Sequence, residues 1–296
     1  MASKNKSAEL PPYLKALTDL SIIDLESATV IWPRCRDRDD MPVWRCARSG
    51  VIFLRKSMHS YATGDHSSYY NSTTRSAALK QCVEDDTRRL AQFRELARNA
   101  AWLDIGTGLG GFLEHARHVT DEIIGVEPQE GLRQSAIDAG LAVLPLINDA
   151  QGQYFDVVSL FHVFEHLSDP LAVLAEAKRC LKPGGTLIVE VPHARDAMLS
   201  FYDLESFKVH TFWSEHLILH TRESLRTFLT SAGFKVKVVS GFQRYPLANH
   251  LHWLSQHSRD GHKQWSFMRS EALDAAYASK LTEIDSTDTI IAIAAL

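Results

Sequence analysis

The sequence predicts an α/β fold in which a mainly parallel sheet carries helices on both faces. From Ala101 onward, apolar strand-like runs alternate with helical stretches. The strand-like runs are AWLDIGTG, EIIGVEP, LAVLPL, YFDVVSLFHV, TLIVEVP and KVKVVSGF. Apolar strands that are each followed by a helix are typical of parallel strands buried on both faces. The helix signals agree, because Asp169 can cap a helix that Pro170 begins, and a Pro-Gly-Gly sequence ends it before the next strand.

Other patterns flank this alternation. An irregular N-terminal extension is followed by a helical pattern with a broad apolar stripe from Thr74 to Asn99. The chain ends in STDTIIAIAAL, which is strand-like, and a helical insertion lies before it. We therefore divide the chain into the extension, a core, the insertion and a terminal core strand. These four segments are residues 1–71, 72–243, 244–283 and 284–296.

The composition is that of a soluble globular protein. The chain has 296 residues, of which 45% are hydrophobic and 23% charged, enough for one large α/β domain with appendages. The net charge is −4 with both signs interspersed, so we expect no nucleic-acid partner. The polar N-terminus lacks the apolar core of a signal peptide, and no apolar run approaches the ~20 residues of a membrane helix. We expect a cytoplasmic protein without membrane insertion.

The stretch LDIGTGLGGF contains a glycine pattern with three interpretations. Gly106 and Gly108 fit a dinucleotide-binding turn if Gly111 is the third glycine, and the tighter turn of an S-adenosylmethionine (SAM) site if Gly110 is the third. A chance glycine-rich loop also fits. The stretch follows the first strand of the predicted parallel sheet, and ligands bind at the carboxyl ends of such strands. The turn is therefore a cofactor position.

Two acidic residues help to choose between the cofactors. Glu127 ends the second strand-like run, where a carboxylate can accept both ribose hydroxyls of either NAD or SAM. Asp104 lies in the strand before the glycines, where a dinucleotide site usually has an apolar residue. A carboxylate there can bind the ammonium group of a methionine moiety, directly or through water. NAD has no cation at that place, so Asp104 favours SAM.

Several motifs in order resemble the class I SAM-dependent methyltransferases, over about residues 70–240. LDIGTGLGGFL is similar to the first motif of that family, and IIGVEPQEGLRQSA to the second. FDVVSLFHVFEHLSDPLAVLAEAKRCLKPGGTLIVEVPH resembles the fourth strand, its helix and the fifth strand. The resemblance implies SAM as cofactor and a Rossmann-like, mainly parallel seven-stranded sheet whose antiparallel last strand is the C-terminal one. The implied cofactor residues are Asp104, Gly106, Thr107, Gly108, Gly110, Glu127, Pro128, Asn148, Asp149 and Phe161.

The N-terminal extension resembles a degenerate zinc ribbon of the kind that begins many bacterial methyltransferases of this group. WPRC and WRCARSGVIFL keep Cys35 and Cys46, one of each expected pair, whereas Trp32 and Ser49 stand where the other two sulfurs would be. Two thiolates do not make a tetrahedral structural site. We expect the ribbon shape to persist by packing, without structural zinc.

Three histidines are the candidate catalytic residues. In FHVFEHL, His162, Glu165 and His166 are spaced so that a turn or helix after the fourth strand brings them to one side. His216 comes shortly before a helix that Thr221 caps. An imidazole titrates near the pH at which an acceptor hydroxyl must lose its proton, so we expect His162, His166 or His216 to act on that proton.

The same residues resemble the E-x-x-E-H…H metal constellation of small-RNA 2′-O-methyltransferases and of some ubiquinone-pathway O-methyltransferases. Here His162 replaces the first Glu, which makes the ligand set richer in nitrogen and weakens the case for Mg²⁺. Three alternatives stay open. A divalent metal is held by His162, Glu165, His166 and His216; or His162 is a metal-free base; or Glu165 and His166 only stabilise their loop. We favour a metal-free histidine base.

The insertion, which begins QRYPLANHLHWLSQH, is rich in aromatic, histidine and arginine residues and is expected over the strand ends. It is either a substrate lid or a helical cover for the sheet, and we favour the lid because such side chains suit a binding pocket. The predicted substrate-binding residues are His193, Arg244, Tyr245, His250 and Trp253.

The expected substrate is a polar small molecule. Chains with such a ribbon and insertion resemble enzymes of bacterial surface-polysaccharide or natural-product pathways. We therefore expect O-methylation of a sugar, a nucleotide-linked sugar or a natural-product intermediate. N- or C-methylation of the same class is one alternative, and a SAM-binding module that acts on a protein or RNA partner is another. The absence of a basic stripe argues against RNA. The oligomeric state stays open.

Overall fold

The computed structural model describes residues 10–57, 75–152 and 154–296. The predicted boundary between residues 71 and 72 lies outside the described residues, as does Thr74, the first residue of the predicted long helix. The strands are β1 Ala28–Trp32, β2 Val43–Cys46, β3 Ile52–Leu54, β4 Ala101–Ile105, β5 Glu122–Val126, β6 Val143–Leu144, β7 Phe155–Phe161, β8 Leu181–Pro192, β9 Ile218–Leu219, β10 Lys235–Phe242 and β11 Thr289–Ala295. The α-helices are α1 Pro12–Asp19, α2 Arg75–Gln92, α3 Arg94–Ala97, α4 Gly111–Ala116, α5 Glu130–Asp138, α6 Pro170–Cys180, α7 Glu205–Thr211, α8 Arg222–Ser231, α9 Leu247–Gln256, α10 Gly261–Gln264 and α11 Glu271–Glu283.

The larger sheet has seven strands in the order β10-β11-β8-β7-β4-β5-β6. All neighbours from β8 to β6 are parallel, whereas β11 is antiparallel to both β8 and β10. The sequence order reverses between β4 and β7, so the loops that follow these two strands diverge and leave a crevice at their carboxyl ends. The predicted α/β, Rossmann-like and mainly parallel sheet is confirmed, including the antiparallel C-terminal strand.

The two predicted helix caps have their expected roles, but the predicted Pro-Gly-Gly stop at residues 183–185 lies within β8, which begins directly after α6 ends at Cys180. The Asp169 side chain accepts a hydrogen bond from the Ala172 N–H at 3.0 Å, with Pro170 in the first turn of α6. Thr221 caps α8 by accepting from the Ser224 N–H at 3.2 Å. Such caps satisfy N–H groups that have no partner within the helix.

The predicted long helix is divided in two. The pattern from Thr74 to Asn99 predicts one helix, but α2 ends at Gln92 and a short α3 follows. Phe93 lies between them with a non-helical ψ of 16°, and its buried ring stacks on Phe161 with 6.1 Å between centroids. Burial of this ring against the sheet accounts for the break.

The N-terminal extension forms a second, four-stranded antiparallel sheet in the order β1-β2-β3-β9. Buried side chains of this sheet and of the larger sheet belong to one continuous hydrophobic core. Cys35 and Cys46 are buried free thiols. Burial, aided by Asp37 and Asp40, raises the pKa of Cys35 to about 12, whereas at Cys46 burial is outweighed by hydrogen bonds with Ser49, which lower the pKa of that thiol. A ribbon held by packing without structural zinc stays a prediction.

The insertion lies between β10 and β11 and contains α9, α10 and α11. Its first residues are fixed by Asp288, whose carboxylate accepts hydrogen bonds from the N–H groups of Arg244 at 3.0 Å and Tyr245 at 3.1 Å. The insertion therefore starts from a defined point next to β11. Within the described ranges, we find no helix that is both long and apolar enough to span a membrane.

Candidate functional site

A cavity of about 310 Å³ lies at the carboxyl ends of β4, β5 and β7. One end is lined by the loop after β4 and by Glu127 after β5. The other end is lined by His162 and His166 after β7, by Trp213, and by Arg244 of the insertion. One face of α2 completes the wall. The crevice of the larger sheet therefore contains the principal candidate site.

The glycine loop gives its backbone to the first end of this cavity. Gly106, Gly108 and Gly110 have φ values of 74°, 57° and 80°, which other residues rarely adopt. A side chain on Gly108 would meet no protein atom within 4 Å, so this glycine leaves open space in front of the loop. A side chain on Gly110 would collide with Leu141, so its role is in packing. Backbone can thus approach a ligand closely at Gly108.

Glu127 is fully buried and fixes this loop. Its Oε2 accepts a hydrogen bond from the Gly108 N–H and its Oε1 accepts from the Gln129 N–H, both at 2.9 Å. Burial raises the pKa of Glu127, although the two backbone donors and Arg133 oppose the rise. Each carboxylate oxygen keeps a second lone pair, so the group can accept from hydroxyls of a ligand in the cavity.

Asp104 lines the same end of the cavity and is almost completely buried. Its Oδ1 accepts from the Ser159 hydroxyl at 2.6 Å, and that hydroxyl accepts from the indole N–H of Trp102 at 2.8 Å. Burial raises the pKa of Asp104 to about 7, against the hydrogen bonds from Ser159 and Thr107. A ligand ammonium beside this carboxyl would favour its ionised form. The site is thus suited to a cationic group.

Most of the predicted cofactor residues line the cavity, but some do not. Gly106, Thr107 and Phe161 line it together with Asp104, Gly108 and Glu127. Gly110, Pro128, Asn148 and Asp149 are absent from its lining. The Asn148 amide donates to the Glu176 carboxylate at 3.3 Å, and the Asp149 carboxylate accepts from the Leu146 N–H at 3.1 Å. These two side chains are occupied by local contacts, so their contact with an adenine ring stays a prediction.

His162 directly follows β7 and has a left-handed backbone, with φ 55°. This conformation is uncommon outside glycine and turns the ring into the cavity lining. The ring Nδ1 lies 3.2 Å from Oε1 of Glu165. The ring Nε2 lies 3.1 Å from a guanidinium nitrogen of Arg244 and 3.3 Å from Oε1 of Glu190.

The two neighbours of Nε2 suit opposite protonation states. A guanidinium can only donate, so Arg244 fits a neutral ring, whereas Glu190 can accept from a protonated one. Burial and the Arg244 cation push the pKa of His162 down, but the hydrogen bonds to Glu165 and Glu190 outweigh them, so the pKa is raised above 6.5. The nitrogen therefore has a partner before and after it takes up a proton.

Glu190, on β8, joins His162 to helix α2. Its carboxylate accepts from Arg88 at 2.8 and 2.9 Å and from Arg89 at 2.8 and 3.2 Å. Glu190 is fully buried, and despite that burial the Arg89 cation beside it holds its pKa well below the usual range. The ion pairs also fix α2 against the carboxyl end of β8.

Arg244 bridges the insertion and α2. Its guanidinium pairs with the Asp85 carboxylate, with one nitrogen at 3.1 Å, while another nitrogen faces His162. Burial acts to raise the pKa of Asp85, but Arg244 outweighs it and the pKa is lowered. Among the predicted substrate-binding residues, Arg244 is the one that lines the cavity.

The structure brings together three of the four predicted metal ligands. Ligand atoms of Glu165, His166 and His216 lie within 4.8 Å of one another, and His162 is outside this group. The Nε2 of His162 faces Arg244 and Glu190, while its Nδ1 contacts only Glu165 of this group, at 3.2 Å. His166 lines the cavity, whereas His216 packs behind it with 5.0 Å between the two ring centroids. Burial and the neighbouring His166 lower the pKa of His216 to about 3.

The remaining predicted substrate-binding residues lie away from the cavity lining. His193 is fully buried, and its Nδ1 lies 3.0 Å from the Thr287 carbonyl. His250 is buried and bonded to the Tyr277 hydroxyl at 2.8 Å. Trp253 packs edge-on to Phe207 with 5.3 Å between centroids.

Tyr245 also does not line the cavity and packs near His262, with 5.4 Å between ring centroids. Contact of His193, Tyr245, His250 and Trp253 with the acceptor stays a prediction without support from this geometry. The packing roles of the buried residues explain why: an aromatic or imidazole ring serves a helix interface as well as a pocket.

Sequence patterns did not reveal several residues of the cavity. Asp85, Asp86 and Arg89 are in the middle of a helix that reads as amphipathic, and Trp213 is in a loop without a motif. The signal that was available is a pair of acids followed by a pair of bases, DDTRR, on one helix. Glu190 was visible too, as a carboxylate inside an otherwise apolar strand-like run.

Comparison with known proteins agrees with this geometry. A family model described as a methyltransferase domain matches residues 70–238, which is more than half of the chain. A SAM-dependent methyltransferase from Archaeoglobus fulgidus has the same fold, with a TM-score of 0.52 over 78% of this chain and 100% of that one at 19% identity.

Curated relatives match a smaller part of the chain. The ubiquinone/menaquinone biosynthesis C-methyltransferase of Burkholderia cenocepacia is 28% identical over 159 residues, which is 44% of this chain and 65% of that protein. The ubiquinone biosynthesis O-methyltransferase of Haemophilus ducreyi is 28% identical over 180 residues, which is 52% of this chain and 72% of that protein. The chain thus spans less than two thirds of the first relative, and the two differ in the atom they methylate.

Proposed function

Because the chain belongs to the methyltransferase domain family, we propose that it transfers the methyl group of SAM to a hydroxyl of a polar small molecule. A sugar or a nucleotide-linked sugar is the acceptor class that we put forward. The single observation that carries the hydroxyl chemistry is His162, whose Nε2 faces a donor and an acceptor and so has a partner in either protonation state.

The first end of the cavity supports cofactor binding. The Gly108 backbone and the buried Glu127 carboxylate suit a ribose, and the buried Asp104 carboxyl suits a methionine ammonium. SAM, when bound, supplies an activated methyl group on a cationic sulfur. The site then needs little charge of its own and must mainly align the acceptor and exclude water, effects worth ~7–11 kcal/mol.

The second end of the cavity supports deprotonation of an acceptor. Glu165 holds the Nδ1 side of the His162 ring, as a carboxylate orients the base in many hydrolases. Bound SAM would supply the methyl group and would keep the bonding electron pair on its sulfur. The hydroxyl proton of the acceptor would pass to Nε2 of His162 once the Arg244 guanidinium gives up its hydrogen bond to that nitrogen. Glu190 stabilises the imidazolium that results.

A metal-free reaction is consistent with the position of Arg244. Its guanidinium lies 3.1 Å from Nε2 of His162, so a cation held at that nitrogen would be repelled, while Nδ1 of the same ring faces Glu165. A chelator is therefore expected to leave methyl transfer intact. Loss of transfer with a chelator and its return with added divalent metal would show that Glu165, His166 and His216 hold an ion.

The experiment is a mass-spectrometric screen of bacterial sugars, nucleotide-linked sugars and related polar metabolites with SAM as donor. We expect one acceptor class to gain the mass of a methylene group in an enzyme-dependent way, and two-dimensional NMR of the product to place the methyl on oxygen. A product methylated on carbon or nitrogen would overturn the proposed base. A stable stoichiometric protein partner, with no small-molecule product, would favour a SAM-binding module.

A further inference from the structure

A loop of the N-terminal extension contacts the segment that precedes β9. We call residues 34–40 the Arg36 loop and residues 210–217 the Trp213 segment. The Arg36 N–H donates to the Phe212 carbonyl at 2.8 Å, and its guanidinium donates to the His210 carbonyl at 3.1 Å. The same guanidinium lies over the Trp213 ring, 4.6 Å from its centroid, in a cation–π contact.

Two further contacts hold the Trp213 segment in place. The Asp37 carboxylate accepts from the Ser214 N–H at 3.0 Å and also from the Ser214 hydroxyl. At the other end, the Leu54 N–H donates to the Leu217 carbonyl at 3.0 Å, where β3 pairs with β9. The N-terminal extension therefore fixes this segment at both ends, although the two are more than 150 residues apart in the chain.

The Trp213 ring reaches the acceptor end of the cavity. It lines the cavity with His162, His166 and Arg244. It also packs edge-on against the rings of His166 and His216, with centroid distances of 5.9 and 5.5 Å. The indole thus lies between the Arg36 guanidinium and the two histidines.

We propose that the Arg36 loop determines acceptor affinity, because it holds Trp213 as the wall on which the ring of the acceptor packs. The inference rests on the proposed function and adds a specificity-determining residue, Trp213, and two positioning residues, Arg36 and Asp37. The part of the indole that lines the cavity suits the apolar face of a sugar or another ring-bearing acceptor. Alignment of an acceptor is sensitive to shifts of its wall by about 1 Å.

The test compares Asp37→Ala and Arg36→Ala with Asp39→Ala, a matched control. Asp39 is in the same loop, and its carboxylate pairs with exposed Arg34 at 2.9 Å, away from the Trp213 segment. All three are surface positions. We expect folded proteins whose melting temperatures stay within about 4 °C of the wild type.

The first readout requires no acceptor. The chain is labelled with fluorotryptophan, and the signal of Trp213 among the six tryptophans is assigned with Trp213→Phe. In fluorine NMR, Asp37→Ala and Arg36→Ala should shift and broaden the Trp213 signal, while Asp39→Ala leaves it unchanged. An unchanged Trp213 signal in both loop variants would overturn the proposal.

The second readout tests the effect on the acceptor. Methyl-labelled SAM is supplied with a dilution series of a deproteinised bacterial metabolite extract. The amount of extract for half-maximal transfer should rise about tenfold in Asp37→Ala and Arg36→Ala, with a similar maximal rate. Equal half-saturation in all variants would show that the loop has a structural role alone.

Titration with S-adenosylhomocysteine separates a failure of the proposed function from a failure of the role given to the Arg36 loop. Its affinity should be the same in wild type, loop variants and control, since no cofactor residue changes. If the wild type does not bind S-adenosylhomocysteine, the proposed function fails, whatever the fluorine spectra show. If it binds and the spectra do not change, only the role of the Arg36 loop fails.

Discussion

At the scale of single residues, His162 combines a backbone of φ 55° with a ring between two buried carboxylates. A residue in a rarely populated conformation persists only where its surroundings hold it, and such residues cluster at functional sites. Here the His162 N–H donates to the Glu190 carbonyl at 2.8 Å, which fixes the backbone. The strained conformation places the ring at the cavity.

His162→Ala should lower turnover by ~10²–10⁴ while S-adenosylhomocysteine still binds, because a general base is lost and the cofactor end is unchanged. Steady-state kinetics with the acceptor found in the screen measure this. His257→Ala is the matched control, since His257 also has φ 55° but is exposed at the end of α9. Full turnover in His162→Ala would exclude a histidine base at this position.

Asp196 should make stability depend on pH. Burial, with Asp288 nearby, raises the pKa of Asp196 from 3.8 to about 8. The folded chain therefore keeps a proton that the unfolded chain releases. The contribution of Asp196 to the free energy of unfolding is full below pH 3.8 and is lost as the pH rises towards about 8.

Asp196→Asn should remove this dependence, because an amide stays neutral and its oxygen can still accept from the Met198 N–H, now at 2.7 Å. Urea unfolding between pH 5 and pH 8 should show a smaller fall in the free energy of unfolding than in the wild type. Asp138→Asn, at an exposed carboxylate, should leave the fall unchanged. An identical fall in Asp196→Asn would contradict a raised pKa.

Single residues differed in how well sequence could place them. Asp104 and Glu127 lie within one strand–helix–strand unit, β4–α4–β5, so local order was enough to place both near the glycine loop. Glu190 and Arg88 are 102 positions apart, and their ion pair follows from how α2 crosses the sheet. No local pattern encodes such a crossing, so the contact of His162 with Glu190 was not predicted, whereas its contact with Glu165 follows from their spacing.

At the scale of elements, the insertion has a packed aromatic residue and one arginine that reaches the cavity, and its role as a substrate lid stays a prediction. Trp253 of α9 is 4% exposed and packs against Phe207 and His210. Trp253→Ala should therefore cost ~3–5 kcal/mol in the free energy of unfolding, because a buried indole is replaced by a cavity.

Urea unfolding measures this cost, and steady-state kinetics should show an unchanged KM for the acceptor. Phe267→Ala is a control in the same insertion, because Phe267 is 77% exposed and should contribute little. A raised KM in Trp253→Ala with unchanged stability would restore Trp253 as a substrate residue.

Elements of the larger sheet were predictable because most strands have their own apolar run, and because α6 and α8 begin at side-chain caps. Strand β6 shows the limit of predicting strands from apolar runs. LAVLPL suggests a strand of ordinary length, but only Val143–Leu144 pair, at the sheet edge. The four-stranded sheet was predictable only as a ribbon, since its fourth strand, β9, comes from a distant part of the chain.

At the scale of the whole molecule, the two ends of the cavity are built differently. The proposed cofactor end comes from the loops after β4 and β5, which are close together in sequence. The proposed acceptor end is assembled from the loop after β7, the Trp213 segment and the start of the insertion, and α2 lines the cavity as well. A shared hydrophobic core joins the N-terminal sheet to the larger sheet, so the acceptor end depends on the packing of the entire chain. This explains why the fold and cofactor were easier to predict than the acceptor.

The most direct test of the account is isothermal titration calorimetry with S-adenosylhomocysteine. The wild type should bind it, and Glu127→Ala should bind it more weakly by ~1.5–3 kcal/mol for each lost charge-assisted hydrogen bond to the ribose. Glu130→Ala, which removes an exposed carboxylate in the first turn of α5, should bind like the wild type. Binding of NADH without binding of S-adenosylhomocysteine, or equal affinity in Glu127→Ala and the wild type, would contradict the assignment of this cavity to SAM.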